Sequence, residues 1–203
     1  MKNFSCSFSI EYQEKLQKYK RWQDAQLSLL GRLLLKKGLE YLNEEVDLRN
    51  LRLTQFDKPY LEGSDVQFNT SHSGELVGVI VANQRASLGI DIEKYHPIKI
   101  EDFKNHMTLS EQNKVLNSIN RETAFLEHWT QKEAILKANG KGLSIPLKSF
   151  EIEDGKTCFD SETFFVTEIF LDKEYICHIA TSHQKIKCED VKKREIVVRN
   201  LTM

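Results

Sequence analysis

Ser87-Leu-Gly-Ile-Asp-Ile-Glu-Lys94 and, about forty residues further on, Trp129-Thr-Gln-Lys-Glu-Ala-Ile-Leu-Lys137 are the two stretches that decide how this chain is read. As a strand, the first sends Ile90 and Ile92 to one face and Asp91 and Glu93 to the other, because successive side chains alternate. The carboxylate face is expected to look to solvent. As a helix, the second puts Glu133 and Lys137 one turn apart on one surface, the spacing of a supporting Glu–Lys pair. Taken separately, an Asp-x-Glu strand face and an i, i+4 pair are ordinary surface features. Taken together, three hard oxygen ligands with a cation beside them suit Mg²⁺, which keeps some waters and shares its shell with substrate phosphates. A phosphate-handling site is the first expectation.

Working outward, Leu76-Val-Gly-Val-Ile-Val-Ala82 precedes the acidic strand, and with Asn83-Gln84 between them the two read as a hairpin broken by His96-Pro97. Phe4, Cys6, Phe8 and Ile10 alternate with serines, the pattern of a half-buried strand. Apolar residues crowd a helix from about Asp24 to Leu39, with Gly38 placed to stop it. Residues 43 to 66 are polar and irregular, and Asp57-Lys-Pro-Tyr60 reads as a turn before a short strand. Helices are expected from Ser110 to Asn139, closed by Gly140. Strands follow at Phe150 to Ile152, Phe164 to Phe170 and Tyr175 to Thr181. A mobile connector from Lys185 to Arg194 then leads to a last strand, Ile196 to Val198.

Strand, helix and hairpin, then helices and strands, occur on either side of about residue 95. The expected fold is α+β: two similar halves, 1–95 and 96–203, related by a pseudo-twofold axis, with the active site in the cleft between them. The chain has 203 residues, a formal net charge of −1 and no apolar run of membrane length. These features point to a soluble cytoplasmic protein that coats neither nucleic acid nor membrane. Cys6, Cys158, Cys177 and Cys188 have neither zinc nor disulfide spacing and read as free thiols. The histidines 96, 106, 128, 178 and 183 lack metal-ligand spacing and receive no role.

Phe68-Asn-Thr-Ser-His-Ser-Gly74 carries hydroxyls, an imidazole and backbone N–H groups suited to an anion, although a plain turn explains it as well. Adjacent residues on an extended chain face opposite ways, so Ser71 and His72 do not form a nucleophile pair. Lys141-Gly-Leu-Ser-Ile-Pro146 combines a helix stop with glycines that permit close backbone approach.

In order, Phe68 to Gly74, Gly89 to Glu93, Trp129 to Lys137 and Gly140 to Pro146 resemble the signature set of the 4′-phosphopantetheinyl transferases, in the two-lobed (Sfp-like) form that activates carrier proteins. The resemblance implies a pseudo-dimeric monomer with coenzyme A and Mg²⁺ in the cleft. It assigns Asp91, Glu93 and Glu133 to the metal. Coenzyme binding falls to Lys58, Ser71, His72, Asp91 and Lys137, and catalysis to Glu133, Lys137 and His72. The family usually has Gly where Asp57 stands. Arg21, Arg32 and Lys36 are candidates for the 3′-phosphate of coenzyme A.

The implied reaction is attack by a serine of an apo acyl or peptidyl carrier protein on the β-phosphate of coenzyme A, releasing adenosine 3′,5′-bisphosphate. Glu133 would take the serine proton, and Lys137, helped by His72, would stabilise the leaving phosphate. Two rival readings stand beside it, the first of which uses the same carboxylates and lysine. A Mg²⁺-dependent phosphohydrolase or nuclease would need no carrier. A non-catalytic module that docks an acidic partner through its basic N-terminal helix would ignore a chelator.

Overall fold

The computed structural model describes residues 8–83, 86–182 and 186–195. The chain is α+β, as the alternating and helical stretches of sequence suggest. The described residues open on helix α1, Ile10–Lys18, which takes in Ile10 of the expected strand because Ser9 caps the helix by accepting from Tyr12 N at 3.3 Å. Phe4 and Cys6, the rest of the expected strand, lie outside the described residues, as do Ile196 to Val198 and His183.

Helix α2, Trp22–Tyr41, runs past Gly38 and ends at Leu42. Gly38 is a packing residue, not a stop. A Cβ there would meet Val81 Cγ2 at 2.9 Å, so the missing side chain lets the helix lie close on a strand. Leu35 and Leu39 are buried in one cluster with Phe8, Leu61, Val66 and Phe68.

Strands β1, Leu51–Leu53, and β2, Pro59–Leu61, form a small antiparallel hairpin. Its turn holds Asp57 at φ 62°, a left-handed conformation natural to glycine and tolerated by aspartate. β3, Gln67–Ser73, pairs along its whole length with β4, Leu76–Ala82, through Gly74 at φ 56°. Phe68 to Ser73 is therefore strand, and Gly74 alone of that segment lies in the turn. The expected hairpin of β4 with β5, Leu88–Lys94, is not formed. β5 crosses to a four-stranded antiparallel sheet ordered β5-β8-β7-β6, with β6 at Lys156–Phe159, β7 at Glu162–Glu168 and β8 at Tyr175–Ser182. The strand expected at Phe150 to Ile152 is irregular chain, and β6 takes its place at the sheet edge.

Helix α3, Leu109–Leu116, starts with a reciprocal capping box between Thr108 and Glu111. Helix α4, Arg121–Asn139, is capped by Asn120 and stopped by Gly140 at φ 87°, as its sequence suggests. α4 lies across β5 and β8 and supplies Ala134, Ile135 and Leu136 to a cluster with Phe150, Phe164 and Ala180. The segment expected to be a mobile connector is tied down at Ile186, whose carbonyl accepts from Thr167 Oγ1 at 2.6 Å.

Two glycines determine what surrounds β5. A Cβ on Gly89 would run into Ala134 O and reach 2.5 Å from Ala138 N, both backbone atoms of α4. A Cβ on Gly78 of β4 would run into Ile92 and reach 3.3 Å from Ile90 Cδ1. β5 is thus held between α4, on the face of Gly89, Asp91 and Glu93, and the β3–β4 hairpin, on the face of Ile90 and Ile92.

Candidate active site

The carboxylate face of β5 looks into α4, not into solvent. Asp91 is only 4 % exposed. Its Oδ1 accepts from Lys137 Nζ at 2.6 Å and from Ser71 Oγ at 3.1 Å, while Oδ2 is buried without a partner. Lys137 therefore turns to Asp91 and Ser71 across the helix–strand contact and does not form the expected pair with Glu133. Glu93 Oε2 accepts from Ser73 Oγ at 2.8 Å.

The three acids behave as one electrostatic group. Burial raises the pKa of Asp91 against the opposing pull of Lys137, Ser71 and the Ile92 N–H. Burial also raises Glu93 and Glu133, and the charge of Asp91 adds to both. Lys137 pulls each of the three the other way. Among the described residues no three His, Cys, Asp or Glu side chains stand in ligand geometry about one point. The donors are nevertheless all hard oxygens whose pKa values burial raises, and Asp91 Oδ2 is a buried acceptor still lacking a hydrogen-bond partner. That combination fits a small divalent cation.

Ser71 spends its whole hydrogen-bonding capacity inside this cluster: it donates to Asp91 and accepts from Lys137 Nζ at 3.0 Å and Ile92 N at 3.2 Å. His72 is exposed on the opposite face of β3, in register with Val77. Lys58 donates to Ala138 O at 2.7 Å near the end of α4, and more weakly to Leu88 O, so the β1–β2 hairpin is tied to the helix that carries Glu133 and Lys137. Burial lowers its pKa to about 8. Arg32 stacks 4.1 Å above the Tyr12 ring, whereas Arg21 and Lys36 are exposed.

Several supporting residues escaped the sequence reading. Ser73 could have been found once 67–73 was read as a strand, because its Ser-x-Ser repeat matches the Asp-x-Glu repeat of β5. Lys132, beside Glu133, is 1 % exposed, lies 2.5 Å from Glu111 Oε1 and donates to the carbonyls of Leu147 and Phe150. His178 pairs with Asp91 across β5 and β8 and bonds Thr130 Oγ1 of α4 at 2.7 Å. Its burial lowers its pKa to about 4, leaving it neutral. Nothing in the local sequence marks these partners, since each lies far away along the chain.

The family model described as "4'-phosphopantetheinyl transferase superfamily" matches residues 87–195, the part of the chain that holds all three acids. The chain belongs to the 4′-phosphopantetheinyl transferase superfamily. A second model, "4'-phosphopantetheinyl transferase, N-terminal", matches residues 3–85. The chain is similar to 4'-phosphopantetheinyl transferase gsp of Aneurinibacillus migulanus, 36% identical over 75% of this chain and 65% of that one. It is likewise similar to 4'-phosphopantetheinyl transferase Sfp of Bacillus subtilis (strain 168), 33% identical over 77% of this chain and 72% of that one. These similarities place it with the Sfp-like members of the superfamily. A looser likeness, at TM-score 0.40 and 18% identity, is to the crystal structure of Thermotoga maritima holo-[acyl-carrier-protein] synthase, over 49% of this chain and 64% of that one. Among the described residues no helix is long and apolar enough to cross a membrane.

Proposed function

We propose that this chain transfers the 4′-phosphopantetheine group of coenzyme A to a serine of an apo acyl or peptidyl carrier protein, with Mg²⁺ bound, and releases adenosine 3′,5′-bisphosphate. The observation that carries this reading is the meeting of Asp91 and Glu93 from β5 with Glu133 and Lys137 from α4, in a superfamily member. Asp91, Glu93 and Glu133 would hold the ion. When bound, Mg²⁺ supplies charge neutralisation to the diphosphate.

The chain's own residues have separate tasks. Glu133, a carboxylate whose pKa burial raises, accepts the serine proton as the oxygen–phosphorus bond forms. Lys137, already aimed into the carboxylates, neutralises the phosphate that leaves as the bridging P–O bond breaks. His72 and Lys58 serve the coenzyme from outside the carboxylate cluster, and Ser71 serves it through Asp91 and Lys137. Residues 1–95 and 96–203 act as two halves of a monomer, with β5 from the first half built into the sheet of the second. The protein works in the cytoplasm.

The test is to incubate the chain with coenzyme A, Mg²⁺ and apo carrier proteins and to weigh the carriers. A gain of one phosphopantetheine, lost with chelator, is the expected result. Breakdown of coenzyme A or nucleotides with the carriers unmodified would replace this reading with a phosphohydrolase.

A further inference from the structure

β5 is the edge strand of its sheet, and its outward N–H groups at Ile90, Ile92 and Lys94 need acceptors. Three alternate side chains of β3 provide them in place of a backbone ladder. Asn69 Oδ1 accepts from Ile90 N at 3.0 Å, Ser71 Oγ from Ile92 N at 3.2 Å, and Ser73 Oγ from Lys94 N at 3.0 Å. Both strands advance by two residues per rung, so the contacts stay in step.

The side chain at each rung follows what β5 carries just before the N–H. Ahead of Ile92 and Lys94 stand the acids Asp91 and Glu93, and there β3 has serine. Ahead of Ile90 stands Gly89, with no side chain to hold, and there β3 has asparagine. A hydroxyl has one proton and two lone pairs; once a lone pair takes the backbone N–H, the proton is free for the neighbouring carboxylate. Ser71 gives it to Asp91 Oδ1 at 3.1 Å and Ser73 to Glu93 Oε2 at 2.8 Å.

We propose that Ser73 is a positioning residue for Glu93: its hydroxyl, oriented by the Lys94 N–H, fixes one carboxylate oxygen so that the other is presented to the cation, as Ser71 does for Asp91. This rests on the reading of Asp91, Glu93 and Glu133 as metal carboxylates. Partners that orient metal ligands govern metal affinity nearly as strongly as the ligands do.

The experiment compares the wild-type chain with Ser73→Ala and Ser73→Thr. Amide exchange at Lys94, with no metal added, is expected to quicken about fivefold in Ser73→Ala, the loss of one ordinary hydrogen bond, and to stay unchanged in Ser73→Thr. Calorimetric titration of Mg²⁺ in the presence of coenzyme A, without carrier, is expected to give binding about tenfold weaker in Ser73→Ala and restored in Ser73→Thr. The Mg²⁺ concentration for half-maximal transfer is expected to rise by about the same factor in Ser73→Ala and to return to the wild-type value in Ser73→Thr. Wild-type Mg²⁺ affinity in Ser73→Ala overturns the proposal, and faster exchange with unchanged affinity does so too, leaving Ser73 a packing role. A wild-type chain that binds no Mg²⁺ and modifies no carrier overturns the functional reading itself, and that result is read before any variant is made.

Discussion

Lys137 Nζ stands 2.6 Å from Asp91 Oδ1, while Oδ2 of the same buried carboxylate has no partner. One cation is shared by three acids whose pKa values burial raises, and the charge of Asp91 raises those of Glu93 and Glu133 further. The proton-bound forms therefore contribute stability that is complete below the ordinary values of 3.8 and 4.5 and is lost as pH rises through the raised ones. A divalent ion bound at neutral pH would relieve the repulsion that the charge of Asp91 exerts on Glu93 and Glu133. Mg²⁺ at about a hundred times its Kd is expected to raise the melting temperature by several degrees. Asp91→Asn should abolish that shift in thermal melts and lower transfer roughly a hundredfold or more.

Gly89 sets the distance between β5 and α4. Alanine there would press a methyl group against Ala134 O and Ala138 N, and backbone atoms cannot swing aside. Gly89→Ala is expected to destabilise the chain by about 3 kcal/mol or more in denaturant melts and to remove transfer, since α4 carries Glu133 and Lys137. Gly38→Ala meets the Val81 methyls, the nearer at 2.9 Å, rather than backbone, and should cost less, on the order of 1 to 2 kcal/mol.

Lys132 and Glu111 form a buried ion pair that joins α4 to α3 and, through two carbonyls, to residues 147–150. Lys132→Met leaves the buried Glu111 carboxylate with the Thr108 N–H but without its cation, and the expected cost is on the order of 3 kcal/mol, about 10 °C in melting temperature. Adding Glu111→Leu should recover part of it, because no buried charge is left behind, less the capping bond from Thr108 N that goes with Glu111. Denaturant melts of the single and double variants measure the coupling.

Thr130 Oγ1 and His178 Nδ1 share a hydrogen bond of 2.7 Å, and burial keeps that imidazole neutral. Its folded pKa, about 4, lies below the ordinary 6.5. The stability it contributes is present above 6.5 and is lost as pH falls through 4, on the order of 3 kcal/mol in all. His178→Gln should flatten the fall in melting temperature between these limits. A variant curve parallel to wild type would show that His178 does not titrate there.

The acids were legible because strand alternation separates Asp91 and Glu93 from Ile90 and Ile92, and because Gly140 ends α4 where its sequence says it should. Strand pairing was less legible. Asn83-Gln84 looked like the turn, but Gly74, with its positive φ, makes it, and β5 finds its partner about ninety residues later in β8. Ser9 begins a helix where alternation suggested a strand, since a capping serine and a surface serine read alike until the next turn is formed. Gly38 resembled a helix stop because close packing and chain reversal both select glycine. The burial of Asp91 was hidden for a further reason: a polar residue opposite Ile90 and Ile92 reads as exposed unless the helix above it is known.

A run of backbone bonds between strands is indifferent to which amino acids form it. The seam between β3 and β5 is spelled instead in Asn69, Ser71 and Ser73. Each rung can therefore be rewritten by a single codon, which makes the joint between the hairpin and the larger sheet a tunable coupling, adjustable one step at a time while the apolar interior stays as it is.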